Sequence, residues 1–183
     1  MSSIWLERNP PARVVAIAAH PDDAEAGCGG TLAQFADAGA DVVILYLTRG
    51  EAGTRYLPAG SPASNDLGAA RVREAERACR FLGVRPAFWD QPDGRLATSA
   101  VEQQRFCELI SLHDPDLVLT HWPVDSHPDH RGAATLARQA WVDFGRRFQL
   151  AYYEVMPGVQ TMDFQPDWYV DISQSWKRKR YAC

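Results

Sequence analysis

Histidines and aspartates concentrate in two short segments of this chain. Four of its five histidines lie there beside aspartates: His20, His121, His127 and His130, with Asp22, Asp23, Asp125 and Asp129. Imidazole and carboxylate groups donate lone pairs to divalent cations, and two histidines with one carboxylate leave a coordination position open for water. The segments therefore indicate a catalytic metal site, although the same residue types also cap helices or lie in solvated loops.

Each segment follows a stretch that is typical of a buried strand. Residues 14–19 form a nearly continuous apolar run rich in β-branched side chains, and residues 116–120 are predicted to be a second such strand. A helix over 31–38, closed by Gly39, leads to another buried strand over 42–48. The first part of the chain is therefore a βαβ unit.

Strand and helix patterns continue to alternate afterwards. We predict helices over 67–82, 99–113 and 133–144, and strands over 86–89, 150–155 and 168–172. Residues 51–66 contain several glycines and prolines and are predicted to form a long loop. The sequence therefore predicts an α/β fold, a Rossmann-like three-layer sandwich with a mainly parallel central sheet.

This architecture explains how two distant segments can form one site. In parallel sheets, ligands bind outside the carboxyl ends of the strands. His20 follows the first predicted strand, and the segment from His121 to His130 follows a later one. We therefore expect them to meet at the same edge of the sheet.

Several motifs resemble a known family, in the same order along the chain. AAHPDDAEAGCGGTLA and SHPDHRGA resemble the first and second motifs of the PIG-L/LmbE family of zinc-dependent N-deacetylases. TRGEAGT, RVREAERACRFLGV and QPDGRL extend the resemblance over most of the chain.

The resemblance implies a role for each matching residue. His20, Asp23 and His130 would hold Zn²⁺, with another divalent cation such as Fe²⁺ as the alternative. Asp22 would be the general base, His127 would face the developing oxyanion, and Asp129 would be its orienting carboxylate. A bound cation lowers the pKa of a water molecule and polarises the amide carbonyl.

The resemblance also suggests the substrate, an N-acetylated amino sugar or a glycoside that carries one. The reaction would remove the acetyl or another acyl group from the amide nitrogen. Arg55, in the predicted loop, is a candidate substrate contact, although charged loop residues are usually solvated. His121 and Asp125 are left outside the predicted site, as partners that orient a ligand, substrate contacts or ordinary loop residues.

Composition limits the remaining possibilities. With 183 residues, 46% of them hydrophobic, the chain is expected to form one domain over 1–183. The net charge of −4 argues against nucleic acid as a partner, and the basic residues 177–180 are interpreted as a solvated helix face. Four dispersed cysteines and the lack of a long apolar run predict a cytoplasmic protein without a membrane span. A homo-oligomer remains an option.

Two alternative functions stay open. Members of the family usually continue beyond the DIS and K-x-x-A segments into a further helix, whereas this sequence stops at Cys183, so a non-catalytic metal-binding remnant is one alternative. A nucleotide-binding protein is the other, because Gly27, Gly29 and Gly30 precede the predicted first helix. Their GxGG spacing is a weak phosphate signal, and close packing beside the metal motif explains it better.

Overall fold

A computed structural model describes residues 10–56 and 66–183. Within these two ranges, five strands form a parallel sheet in the order β3-β2-β1-β4-β5. The strands are β1 (Arg13–Ala18), β2 (Asp41–Thr48), β3 (Arg85–Gln91), β4 (Leu117–His121) and β5 (Gln149–Tyr153). The helices are α1 (Asp23–Asp37), α2 (Leu67–Leu82), α3 (Ala100–Ser111), α4 (Pro128–Asp143) and α5 (Trp176–Ala182). The predicted α/β sandwich with a mainly parallel sheet is confirmed.

Alternate residues of β1 face two different cores, which makes three layers. Val14, Ala16 and Ala18 pack toward α1 and α2, whereas Val15 and Ile17 pack toward α3 and α4. Successive side chains of a strand point to opposite faces, so a strand covered on both sides must be apolar throughout. This is why the central strands are nearly continuous apolar runs.

Helix α1 begins at Asp23, eight residues before the predicted start at residue 31. The prediction was wrong here because Gly27, Gly29 and Gly30 lie inside the helix instead of in a loop before it. Two of these glycines allow other segments to approach: a Cβ on Gly27 would overlap Tyr153, and one on Gly30 would lie 2.9 Å from Ile172. The glycines therefore serve packing.

The other differences concern element boundaries and one strand. Helix α4 begins at Pro128, five residues before the predicted start at residue 133. Residues 168–172 form no strand; Gln34 donates a hydrogen bond of 2.6 Å to the Asp171 carbonyl, and Ile172 fills the space above Gly30. This segment therefore packs across α1 and does not join the sheet.

The predicted loop 51–66 lies partly outside the described residues. Its first part, Glu51–Tyr56, forms a short 3-10 helix. None of the helices described here is long and apolar enough to cross a membrane.

The basic residues 177–180 are only partly solvated, in contrast to the prediction. Lys177 and Arg180 are exposed. Arg178 contacts both carboxylate oxygens of Asp37, at 2.6 and 2.7 Å, and donates to the Phe81 and Leu82 carbonyls at the end of α2. Arg178 therefore joins α5 to α1 and α2.

Candidate metal centre and active site

The two histidine-rich segments meet at the carboxyl ends of β1 and β4. These strands are neighbours in the sheet, with Val14 opposite Leu117 and Ala16 opposite Leu119. Helices α1 and α4 begin at the same edge, so their first turns carry Asp23 and His130 toward one point. The expected meeting of the two segments is confirmed.

Asp23 lies between the other two predicted ligands. Its Oδ2 is 3.2 Å from His20 Nδ1, and its Oδ1 is 3.4 Å from His130 Nε2. All three residues are buried. Burial alone would raise the pKa of Asp23, but His121, His130 and His20 together hold that pKa well below its usual range. Asp23 is therefore a carboxylate in contact with imidazole nitrogens.

The surroundings of His20 are strongly anionic. Its Nε2 is 3.1 Å from Asp93 Oδ1 and 3.2 Å from Asp129 Oδ2. Burial alone would lower the pKa of His20, but Asp129, Asp23 and Asp93 raise it to about 11. Three carboxylates around one imidazole suit a bound divalent cation, which would balance their charge and leave the ring neutral.

Possible ligand atoms form overlapping groups within 4.8 Å. One group contains His20, His127 and His130, another contains Asp23, His121 and His130, and a third contains His20, Asp93 and Asp129. Each predicted ligand belongs to at least one group, and the donors are the nitrogen and carboxylate types that Zn²⁺ binds. The residues at this edge therefore fit a metal, with more donors than the three predicted.

Asp22 has an unusual backbone conformation at the start of α1. Its φ of 104° lies in the left-handed region, and its side chain makes no capping hydrogen bond. The carboxylate lines a cavity, keeps 70% of its side-chain surface exposed, and lies 3.0 Å from Arg71 Nη2. The cavity walls replace part of the water around the carboxylate, and this partial loss of water, together with the negative charge of Asp23, raises the pKa of Asp22, while Arg71 opposes the rise.

His127 caps helix α4 with its ring. Its Nδ1 accepts a hydrogen bond of 3.2 Å from the Asp129 backbone N–H, which leaves Nε2 as the protonated nitrogen of the neutral ring. The ring lies edge-on to His20, with centroids 4.6 Å apart, and it lines the cavity. Burial, followed by the nearby His20 and His130, lowers the pKa of His127. His127 therefore presents a neutral Nε2–H donor at the cavity wall.

The hydrogen-bond partners of the Asp129 carboxylate do not include the His127 ring. Its oxygens accept hydrogen bonds of 2.6 and 3.1 Å from the Gly94 and Leu96 N–H groups, and Oδ2 contacts His20. Asp129 therefore attaches the turn after β3 to the site and orients His127 through its backbone N–H. An orienting role for its carboxylate stays a prediction.

The cavity beside the site has a volume of about 580 Å³, within the usual range for small-molecule sites. His20, Asp22, His127 and His130 line it, together with Arg71, Asp93, Met156 and Gln160. Arg71 also donates hydrogen bonds to the Gly50 and Pro21 carbonyls. The cavity therefore combines the candidate metal centre with further polar groups that could contact a substrate.

The site predicted from the sequence left out several of these residues. Arg71 opens the RVREAERAC segment, and Asp93 belongs to QPDGRL, so both were inside motifs that resembled the family. His121 and Asp125, which the prediction left out, are buried next to His130. Arg55 lies in the 3-10 helix Glu51–Tyr56, but its side chain is outside the described atoms, so its substrate contact stays a prediction.

Comparison with known proteins identifies relatives of this chain. The family model described as PIG-L, GlcNAc-PI de-N-acetylase, matches residues 15–141. Diacetylchitobiose deacetylase from Thermococcus kodakarensis is 32% identical over 187 residues, which cover 95% of this chain and 68% of that enzyme. The crystal structure of a conserved protein from Thermus thermophilus has a TM-score of 0.78 and 31% identity, covering 93% of this chain and 77% of the other.

A third relative acts on a different sugar derivative. It is the 1D-myo-inositol 2-acetamido-2-deoxy-alpha-D-glucopyranoside deacetylase of Corynebacterium diphtheriae, which is 30% identical over 141 residues. The match covers 64% of this chain but only 48% of that enzyme, so the chain spans about half its length. The two enzymes named as deacetylases are amide hydrolases. With the family model matched over residues 15–141, this chain belongs to the PIG-L (GlcNAc-PI de-N-acetylase) family.

Proposed function

We propose that this chain is a metal-dependent N-deacetylase that hydrolyses the acetamide of an N-acetylated amino sugar or of a glycoside bearing one. The observation that carries the proposal is the position of Asp22. Its carboxylate makes no capping bond and lines the same cavity as His20, Asp23 and His130. A base next to a cation site is the arrangement that metal-assisted hydrolysis requires.

We assign His20, Asp23 and His130 as the metal ligands and Zn²⁺ as the cation, with Fe²⁺ as the alternative. Two nitrogens and one carboxylate oxygen form an open catalytic set. When bound, the cation would polarise the amide carbonyl and lower the pKa of a water molecule to roughly 7. The anionic surroundings of His20 support a cation at this place.

Asp22 accepts the proton of the attacking water and transfers it to the leaving amine. A general base works best when its pKa approaches the working pH. Partial loss of surrounding water and the Asp23 charge raise the pKa of Asp22 in that direction, and Arg71, 3.0 Å away, limits the rise. Arg71 thereby keeps Asp22 ionised before the reaction starts.

His127 stabilises the oxyanion that forms as the amide carbonyl is attacked. Its Nδ1 is occupied by the Asp129 N–H, so Nε2–H is free to donate. Such a donor is worth on the order of 100- to 1000-fold in turnover. Asp129 holds His127 and the turn at Gly94 and Leu96 in place.

The cavity and the relatives support the proposed substrate class. Both named relatives act on N-acetylated amino sugars, and a polar cavity suits a hydroxylated ligand. Arg71, Asp93 and Gln160 line it and can bind sugar hydroxyls, and we retain Arg55 as a further contact. The identity of the rest of the substrate stays open in this proposal. Formation of a homo-oligomer stays a prediction.

A nucleotide-binding function has little support. Dinucleotide phosphates bind at the amino end of the first helix, but there α1 carries the carboxylates of Asp22 and Asp23. These negative charges would repel a phosphate. The glycines that suggested this alternative lie inside the helix.

The test combines metal content with amine release. We expect about one divalent cation per chain and release of free amine from N-acetylglucosamine, diacetylchitobiose or the inositol glycoside. The His20→Ala, His130→Ala double variant should lose both. Stoichiometric metal without amine release from any substrate would favour the metal-binding remnant, and metal retained in the double variant would refute the ligand assignment.

A further inference from the structure

Asp125 is a buried carboxylate with several partners. It lies in the loop between β4 and α4, and none of its side chain is exposed. Its Oδ1 accepts a hydrogen bond of 2.7 Å from the backbone N–H of His127, and its Oδ2 accepts one of 3.0 Å from the Thr161 hydroxyl. A buried carboxylate is costly unless such partners satisfy it, so its placement needs an explanation.

One further neighbour of Asp125 is the ring of His130. Asp125 Oδ2 lies 3.1 Å from His130 Nδ1, while Nε2 on the other side of the ring faces Asp23 Oδ1. The distance from Nδ1 to Asp125 is short enough for a hydrogen bond, but the two groups are poorly aligned. Among the described residues, Nδ1 therefore has no well-formed hydrogen bond. Neither Asp125 nor Asp23 can donate a proton, and Asp125 is the nearer of the two carboxylates, at 3.1 Å against 3.4 Å. The shorter contact therefore favours the tautomer with its proton on Nδ1.

Stacking limits how far the His130 ring can turn. Its centroid lies 4.1 Å from that of His121, at an interplanar angle of 18°. His121 is itself fixed, since its Nε2 contacts the Ala19 N–H at 3.0 Å and the Tyr153 hydroxyl at 3.2 Å. The ring therefore keeps Nε2 toward Asp23 and Nδ1 toward Asp125.

The same carboxylate holds part of the cavity wall. Asp125 and Thr161 form an isolated bridge between two backbone segments, and Thr161 Oγ1 also accepts a hydrogen bond of 2.9 Å from the Val155 N–H. Residues 155–162 include Met156 and Gln160 of the cavity. Asp125 thus connects the candidate ligand His130 to a wall that would face the substrate.

We propose that Asp125 is a positioning residue that fixes the tautomer of His130 and couples it to the segment 155–162. It keeps the proton on Nδ1, so that the Nε2 lone pair points to the cation site. Partners of this kind orient ligating histidines, and their loss typically weakens metal binding about 10- to 100-fold. The inference rests on the proposed function, since it takes His130 as a ligand.

The Asp125→Asn variant tests the tautomer with little change of shape. Its amide oxygen can still accept the His127 N–H, but the NH₂ group would then face His130 Nδ1 and Thr161. An amide N–H donates to Nδ1 and shifts the ring proton to Nε2, where it blocks the metal. We expect chelator competition to show metal affinity about 10- to 100-fold weaker, with Asp167→Asn, an exposed aspartate, unchanged.

Thr161→Val separates the two functions of Asp125. It removes the hydroxyl that joins the wall but leaves the contact between Asp125 and His130. We expect metal affinity within about twofold of the wild type and a raised KM for the N-acetyl sugar. Metal affinity that falls as far in Thr161→Val as in Asp125→Asn would overturn the tautomer mechanism, because general loosening would then explain both variants.

Nitrogen-15 spectra of the histidine rings show directly which ring nitrogen carries the proton. This measurement uses the wild-type protein, so it requires neither catalytic activity nor a folded variant. In metal-free wild type, above the pH at which His130 titrates, we expect the proton of His130 on Nδ1. A proton on Nε2 would overturn the inference, whatever the metal content. If the wild type binds no metal while the proton is on Nδ1, the proposed function fails and the tautomer assignment stands.

Discussion

Asp22 occupies a backbone conformation that an aspartate adopts only at a cost. A φ of 104° in a residue other than glycine destabilises the folded state by on the order of 1–3 kcal/mol, and such strain concentrates at functional sites. In this conformation the side chain makes no capping hydrogen bond to the helix end. The same residue type that the sequence suggested as a simple helix cap thereby becomes available to a reaction.

Asp22→Asn should keep the metal and lose most of the hydrolysis. The amide preserves the shape but cannot accept a proton, and general-base catalysis contributes about 100- to 10,000-fold. Metal content and amine release should be measured on the same preparation. Asp163→Asn is the matched control, since Asp163 also has a positive φ, of 53°, and is exposed. Turnover near that of the control would remove Asp22 from the base role.

His127→Ala should lower kcat by about 100- to 1000-fold and leave the metal bound. The expected change in KM is small, because the Nε2–H donor acts on charge that develops only during the reaction. Steady-state kinetics on one N-acetyl sugar would measure both values. A rise in KM with unchanged kcat would instead make His127 a substrate-binding group.

The first helix shows why its boundaries were difficult to predict. Three glycines lower helix propensity, but tertiary packing overrides propensity here, because Tyr153 and Ile172 approach the helix at Gly27 and Gly30. The contacts come from residues more than 100 positions away in the chain, so no local pattern reveals them. The strand ends at His20 and His121, by contrast, follow from local apolar runs and were predicted within about one residue.

Gly27→Ala should destabilise the protein by about 1–3 kcal/mol, the usual cost of overpacking. The added methyl group would overlap the Tyr153 ring and approach the Glu154 carbonyl to 3.0 Å. Gly29→Ala is the control in the same helix, because its nearest neighbours, the methyl groups of Leu82, are 3.5 and 3.6 Å away. Urea unfolding of both should show a loss for Gly27 only; equal effects would refute the packing account.

Arg178→Ala should lower the free energy of unfolding by about 1–2 kcal/mol. It removes the bonds to the Phe81 and Leu82 carbonyls and the contact with Asp37. Lys177→Ala, the exposed neighbour, should have little effect. Thermal unfolding of the two variants measures the difference, and similar melting temperatures would mean that Arg178 contributes nothing beyond its charge.

The sheet as a whole brings together residues that the sequence keeps apart. Strand order places β1 beside β4, and alternation of strands and helices was sufficient to predict that both carry the site. The partners Arg71, Asp93 and Asp125 come from α2, from the turn after β3 and from the loop after β4. Their side-chain directions depend on how three layers pack, which periodicity does not specify.

Asp116 should make the pairing of β1 with β4 sensitive to acid. Its carboxylate accepts hydrogen bonds of 3.1 and 2.9 Å from the Ala12 and Arg13 N–H groups, and Arg13 lowers its pKa. Because the folded-state pKa is the lower one, this stabilisation is present above the unfolded-state pKa and disappears as the pH falls through the folded value.

The stability difference between wild type and Asp116→Asn should therefore be about 1 kcal/mol or less near neutral pH, since the side chain is 39% exposed. It should shrink toward zero in acid. Asp167→Asn should show no such trend. A difference that is constant from neutral pH into acid would assign the effect to shape and not to charge.

The pairing of β1 with β4 also links metal binding to folding. His20 and His130 lie far apart in the sequence, separated by strands β2, β3 and β4 and helices α1, α2 and α3, so the unfolded chain offers the proposed cation no preformed set of ligands. A ligand that binds only the native state stabilises it by about 2.7 kcal/mol at 100 times its dissociation constant. The melting temperature should therefore rise with the logarithm of free metal concentration, and a chelator should expose the chain to proteolysis as well as stop the reaction.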